Sequence, residues 1–106
     1  MIFQVKFGKF NTIMNTKSRV KLIIKGQVQG VFFRVKAKKK AESLGLTGWV
    51  RNTEDGHVES LAEGDSDQVK EFVQWCSLGP EGAEVDEFEF RFEEYAGEFD
   101  NFMVIH

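Results

Sequence analysis

The chain has 106 residues, enough for one domain with a hydrophobic core of its own, whereas two domains would each be marginal. It is 42% hydrophobic with eleven Phe, and its single cysteine, Cys76, excludes an intramolecular disulfide and the usual Cys/His zinc sites. The net charge of −3 is unevenly spread, because residues 19–53 carry nine Lys and Arg against one acid, Glu42, while residues 54–106 carry two bases and sixteen acids.

A uniformly basic nucleic-acid binder has a different pattern, although one basic half can focus a small anion toward a local site. No run approaches the ~20 apolar residues of a membrane span. The apolar residues near the N-terminus are broken by Gln4, Lys6, Gly8 and Lys9, a poor core for a secretion signal. The cytoplasm is the expected compartment. Residues 1–18 read as a poorly ordered tail. Phe3, Val5 and Phe7 alternate like a strand, whereas Phe3, Phe7, Phe10 and Met14 have helical spacing, and neither period prevails. Met14 is a candidate natural start.

From Arg19 the pattern is regular. Val20, Leu22 and Ile24 alternate with charged neighbours as a half-buried strand. A loop follows over residues 26–30. Phe33, Ala37, Ala41 and Leu44 then recur at helical spacing, and Gly45 can close that helix. Residues 46–52 read as a second strand, 53–56 as a turn with an Asp-Gly signal, and 57–63 as a third strand with Val58, Ser60 and Ala62 on one face. Asp65 is a candidate N-cap, with Gln68 placed to complete a capping box. Val69, Phe72, Val73 and Cys76 form the apolar stripe of a second helix, which Gly79 and Pro80 end. Phe88, Phe90 and Phe92 alternate with Glu87, Glu89 and Arg91 as a fourth strand, and their rings are expected in the core. Residues 102–105 read as a short fifth strand. The order β-α-β-β-α-β, plus the terminal strand, is the α+β, ferredoxin-like split βαβ plan: an antiparallel sheet with both helices on one face.

Two segments carry possible chemistry. The first runs from Gly26 to Arg34, between a strand and a helix. Backbone N–H groups at a helix start are unpaired and the dipole favours an anion there. Glycines let such a loop curl so that its N–H groups converge, and Arg34 adds a planar fork of donors. A tight turn beside a surface arginine is the plainer reading. The second runs from Gly48 to Asn52. An Asn amide both donates and accepts, so it can hold a water. Opening a turn is the plainer role for Asn52.

Together the two segments resemble the acylphosphatase family. Gly26, Val28, Gln29, Gly30, Val31, Phe33 and Arg34 match its first signature. Gly48, Trp49, Val50, Arg51 and Asn52, followed by Gly56, Val58 and Gly64, match its second. Ala41-Glu42, Leu44-Gly45-Leu46 and the stretch from Gly79-Pro80 to Val85 also fit, so the resemblance covers about residues 19–106. The C-terminal Val104-Ile105-His106 departs from the aromatic residue with which the family commonly ends, and residues 1–18 have no counterpart. The resemblance implies hydrolysis of acyl phosphates without cofactor or metal. Arg34 and the loop from Val28 through Gln29, Gly30, Val31 and Phe32 to Phe33 would bind the phosphate, and Asn52 would orient the attacking water. A small-molecule substrate, a monomer, and no nucleic-acid or membrane partner are expected.

The alternative is a non-catalytic anion-binding module of the same kind, such as occurs within larger proteins. An RNA-binding or metal-carrying domain of this fold is a weaker reading, since the basic aromatic sheet motif and the paired cysteines are missing. Lys36, Lys38, Lys39 and Lys40 read as a solvated helix face, His57 as a surface strand residue, and Cys76, Trp49 and Trp75 as packing residues.

Overall fold

Apolar alternation in the first strand and helical apolar spacing in the next segment do what they predict: Val20, Leu22, Ile24, Phe33, Ala37 and Ala41 are fully buried together. The computed structural model describes residues 16–30 and 32–106. The elements run β1 (Lys17–Gln27), α1 (Phe33–Ser43), β2 (Thr47–Asn52), β3 (Val58–Asp65), α2 (Ser66–Leu78), β4 (Glu84–Glu93) and β5 (Phe102–Ile105). Residues 1–15, where most of the expected tail falls, and Val31 lie outside the described residues.

The strands form one sheet in the order β4-β1-β3-β2-β5. The first four pair antiparallel, but β5 lies parallel to β2, so the sheet is mixed rather than purely antiparallel. Val69, Phe72 and Cys76 of α2 join the α1 residues in a single core over Val20, Ala62, Val50 and Phe102, so both helices cover the same face. Burial pushes the Cys76 thiol far up, as suits a packing residue.

Three details differ from expectation. β1 extends through Gly26, which pairs with β4 across a register shift instead of opening the loop. A Cβ there would lie 2.1 Å from the Glu84 carbonyl oxygen, so the close strand pairing requires glycine. Asp65 stands at the N-cap of α2 but makes no capping hydrogen bond; its carboxylate pairs instead with Lys17 Nζ at 3.0 Å. Phe90 and Phe92 are 52% and 46% exposed rather than core. They sit opposite Leu22 and Val20 on the helix-covered face, but β4 is an edge strand. Alternation tells which way a side chain points, not whether anything covers it.

The segment from β4 to β5 crosses from one sheet edge to the other, over the face away from the helices. Glu63, 1% exposed on central β3, anchors it. Its carboxylate accepts from the backbone N–H groups of Ala96, Gly97 and Glu98 at 2.8, 3.2 and 3.2 Å. It also accepts from Arg19 Nη1 at 3.1 Å. Burial pushes the Glu63 carboxyl up, but the three N–H groups and the guanidinium outweigh it and hold the group below the ordinary value of 4.5. A carboxyl lowered on folding adds stability above its unfolded value and loses it as pH falls through the folded one. Glu63→Gln should therefore cost about 3 kcal/mol in urea unfolding at neutral pH. The gap between variant and wild type should shrink as pH drops below 4.5.

Candidate active site

Strand pairing brings the two chemical segments together. Val58 of β3 faces Ile24 of β1 on one side and Asn52 of β2 on the other, so β1 and β2 end side by side. Asn52 shares its face with Ile24 and Val50, the face that the helices cover. α1 starts directly after the turn that leaves β1. The open end of α1 and the end of β2 therefore meet above one edge of the sheet.

The start of α1 is unlike an ordinary helix start. Phe32, at the N-cap, is held in the left-handed region at φ 61°, ψ 25°. That costs a non-glycine residue roughly 1–2 kcal/mol. No side chain caps the helix, and its first turn contains no acid. The first helical bond runs from Lys36 N to the Phe32 carbonyl at 3.0 Å. The N–H groups of Phe33, Arg34 and Val35 thus precede any intrahelical acceptor. The first turn thus supplies no counter-charge for the positive end of this dipole. Gly30 has φ 76°, and a Cβ there would meet nothing within 4 Å, so the loop is open on that side.

Val28, Gly30, Phe32, Arg34, Val35 and Asn52 surround a pocket of ≈ 190 Å³. Arg34 is half-exposed on the first turn of α1. Its Nη1 lies 3.4 Å from His106 Nδ1, its side-chain partner among the described residues. Other arginines are committed to carboxylates: Arg19 to Glu63, Glu93 and Glu98, and Arg51 to Glu59. Asn52 Oδ1 is buried and has no hydrogen-bond partner among the described residues. A buried acceptor left unpaired costs of order 1–3 kcal/mol, and Asn52 is among the residues that line the pocket.

Gln29 turns away from the pocket. Its Nε2 donates to the Thr53 carbonyl at 3.0 Å and the His57 carbonyl at 2.8 Å. Those carbonyls belong to the turn that follows Asn52, closed by Thr53 N to His57 O at 2.9 Å. One amide thus ties the loop carrying the anion donors to the segment carrying Asn52. Of the other expected loop residues, Val28, Gly30 and Phe32 line the pocket, and Val31 lies outside the described residues. The Phe33 side chain is in the core, its ring 5.6 Å from Trp75, so only its backbone faces the site. Val35 and His106 escaped the sequence reading; position 35 was legible as one residue past Arg34, but the His106 contact spans the whole domain. His57 is half-buried rather than on the surface, and its Nδ1 also has no partner among the described residues.

Chemically, the pocket brings the unpaired N–H groups of the helix start and the Arg34 guanidinium together with the Asn52 amide. That set suits a compact oxyanion with a water beside it. Among the described residues, Arg34 is the one ionisable side chain lining it. Among the described residues no three His, Cys, Asp or Glu side chains cluster to share a metal ion.

The family model described as Acylphosphatase matches residues 20–104. The chain belongs to the acylphosphatase family. An acylphosphatase of Pelotomaculum thermopropionicum is 42% identical over 89 residues, covering 84% of this chain and 97% of that protein. One from Pyrobaculum islandicum is 49% identical over 88 residues, covering 82% and 93%. The solved acylphosphatase of Coxiella burnetii superposes with a TM-score of 0.81 at 35% identity, covering 87% of this chain and 96% of that one. The family thus spans the split βαβ domain and both signature segments.

If Gln29 holds the two segments in register, Gln29→Leu should lower unfolding stability by about 1–2 kcal/mol, the net worth of its two hydrogen bonds, while the Thr53 and His57 carbonyls keep Gly56 N and Thr53 N as donors. It should also weaken the binding of inorganic phosphate, read by calorimetry. Unchanged phosphate affinity in the folded variant would show that the loop keeps its shape without this tie.

Proposed function

We propose that this chain hydrolyses acyl phosphates to a carboxylate and inorganic phosphate, using a water aimed by Asn52 at a phosphorus held by Arg34 and the N–H groups ahead of α1. The observation that carries the assignment of roles is that Asn52, whose Oδ1 is unpaired among the described residues, lines the same pocket as Arg34. An Asn oxygen cannot favour a phosphate oxygen, because both are acceptors. It favours a water, which donates to it and turns a lone pair toward the phosphorus.

The sparse equipment fits the reaction. A carboxylate is a good leaving group and departs with the bonding electrons without taking a proton. Phosphoryl transfer runs through a loose transition state, so positioning and charge stabilisation supply most of the catalysis. The water oxygen bonds to phosphorus as the bond from phosphorus to the acyl oxygen breaks, and a water proton passes to a phosphate oxygen of the substrate. This assignment follows from the lining of the pocket, which among the described residues holds no carboxylate or imidazole to take the proton. An ordinary phosphate ester, whose alkoxide leaving group needs a proton, finds no carboxyl or imidazole among the described residues that line the pocket.

Within this reading the substrate is a free small molecule, and residues 19–106 form the working domain. The pocket draws all its described lining residues from a single domain, and the reading keeps the monomer as the expected state. Among the described residues no helix is long and apolar enough to cross a membrane, and the reading keeps the cytoplasm as the compartment.

Arg34→Ala should lower kcat/KM for an acyl phosphate by about 10²–10³. Arg34→Lys should recover little, since a point charge cannot reproduce the planar fork. Asn52→Ala should lower kcat with KM nearly unchanged, because it acts on water rather than on phosphate. A variant of Asn52 that only raised KM would overturn its role. A folded wild type that binds phosphate but turns over no acyl phosphate would favour the non-catalytic module instead.

A further inference from the structure

The proposed reaction uses every polar group of the pocket and leaves its apolar wall unexplained. That wall is Phe32 and Val35, whose side chains are 73% and 48% exposed. Phe32 is the odder of the two. It is the one non-glycine residue with positive φ among the described residues. Glycine would take that conformation without strain. The neighbouring Phe33 already supplies the aromatic ring that the core needs, packed against Trp75. Phe32 therefore adds nothing to folding that its own position can use: the backbone is strained and the ring is left in water. Strain kept at the edge of a binding pocket is a pointer to function.

We infer that Phe32 and Val35 form the subsite for the acyl group, and that these two side chains set how far an apolar acyl chain is favoured over acetyl. This rests on the acyl-phosphate reading of the pocket. The phosphate claims the N–H groups and Arg34, and the water claims Asn52. What remains for the acyl group is the exposed ring of Phe32 on the loop and the Val35 side chain one residue past Arg34. An aromatic acyl group gains area and ring–ring contact there that a methyl group cannot match. A two-residue surface of this kind discriminates modestly, because apolar contacts separate substrates by roughly ten- to two-hundred-fold at most.

The test measures kcat/KM for benzoyl phosphate and for acetyl phosphate in wild type, Phe32→Gly and Val35→Ser, with the inhibition constant of inorganic phosphate alongside. Comparing ratios between proteins cancels the intrinsic reactivity of the two substrates. The benzoyl-to-acetyl ratio should fall about tenfold in Phe32→Gly and about threefold in Val35→Ser. Equal losses on both substrates, with weaker phosphate inhibition, would mean that Phe32 only shapes the phosphate loop, and would overturn the inference. So would ratios unchanged in both variants. A wild type that hydrolyses neither substrate overturns the underlying reading as well. One that hydrolyses both, with a ratio the variants do not move, overturns the acyl subsite alone.

Discussion

The amide of Gln29 makes two hydrogen bonds, to the carbonyls of Thr53 and His57, and through them the loop ahead of α1 is fixed against the turn after Asn52. The two halves of the site come from different strand ends, and a displacement of even 1 Å between catalytic groups is costly. Neither half is held by its own segment. The loop is strained at Phe32 and open at Gly30, and Asn52 is the last residue of β2. Strand pairing sets their approximate positions, and the part-buried Gln29 amide adds a direct tie between them.

The sheet sets up this meeting. β1 and β2 flank β3 and both run antiparallel to it, so they end at the same edge, and the crossover between them is α1. Glycines at both ends of the sheet let the strands approach closely: a Cβ at Gly48 would lie 1.9 Å from the Leu61 carbonyl oxygen, and one at Gly26 would strike β4 in the same way. The glycines of the two signature segments thus serve strand contact as well as the loop. At the opposite end of β1 and β3, Arg19 and Glu63 pin the segment that leads into β5. β5 in turn carries His106 to Arg34. The helix start receives no cap and no acid from its own sequence, which leaves its positive end for an anion.

Much of this was legible before any coordinates. The alternation of Val20, Leu22 and Ile24, the stripe through Val69, Phe72 and Cys76, and the Gly79-Pro80 break state local rules that the fold obeys. The family followed from two long motifs at a fixed separation. What stayed hidden depends on partners distant in sequence. Gln29 looked like one more loop residue because its acceptors are backbone carbonyls, which every residue has. Asp65 met its cap rule but found Lys17 nearer. Phe90 and Phe92 point the right way yet lie on the strand that the helices cover least. Phe32 carries no local sign that it must adopt a left-handed conformation.

The most direct test of the account is a crystal structure of the protein with inorganic phosphate bound. The account predicts the phosphate on the N–H groups at the start of α1 and on Arg34, with an ordered water bridging it to Asn52 Oδ1. A phosphate bound elsewhere, or one in direct contact with Asn52 with no room for that water, would contradict it.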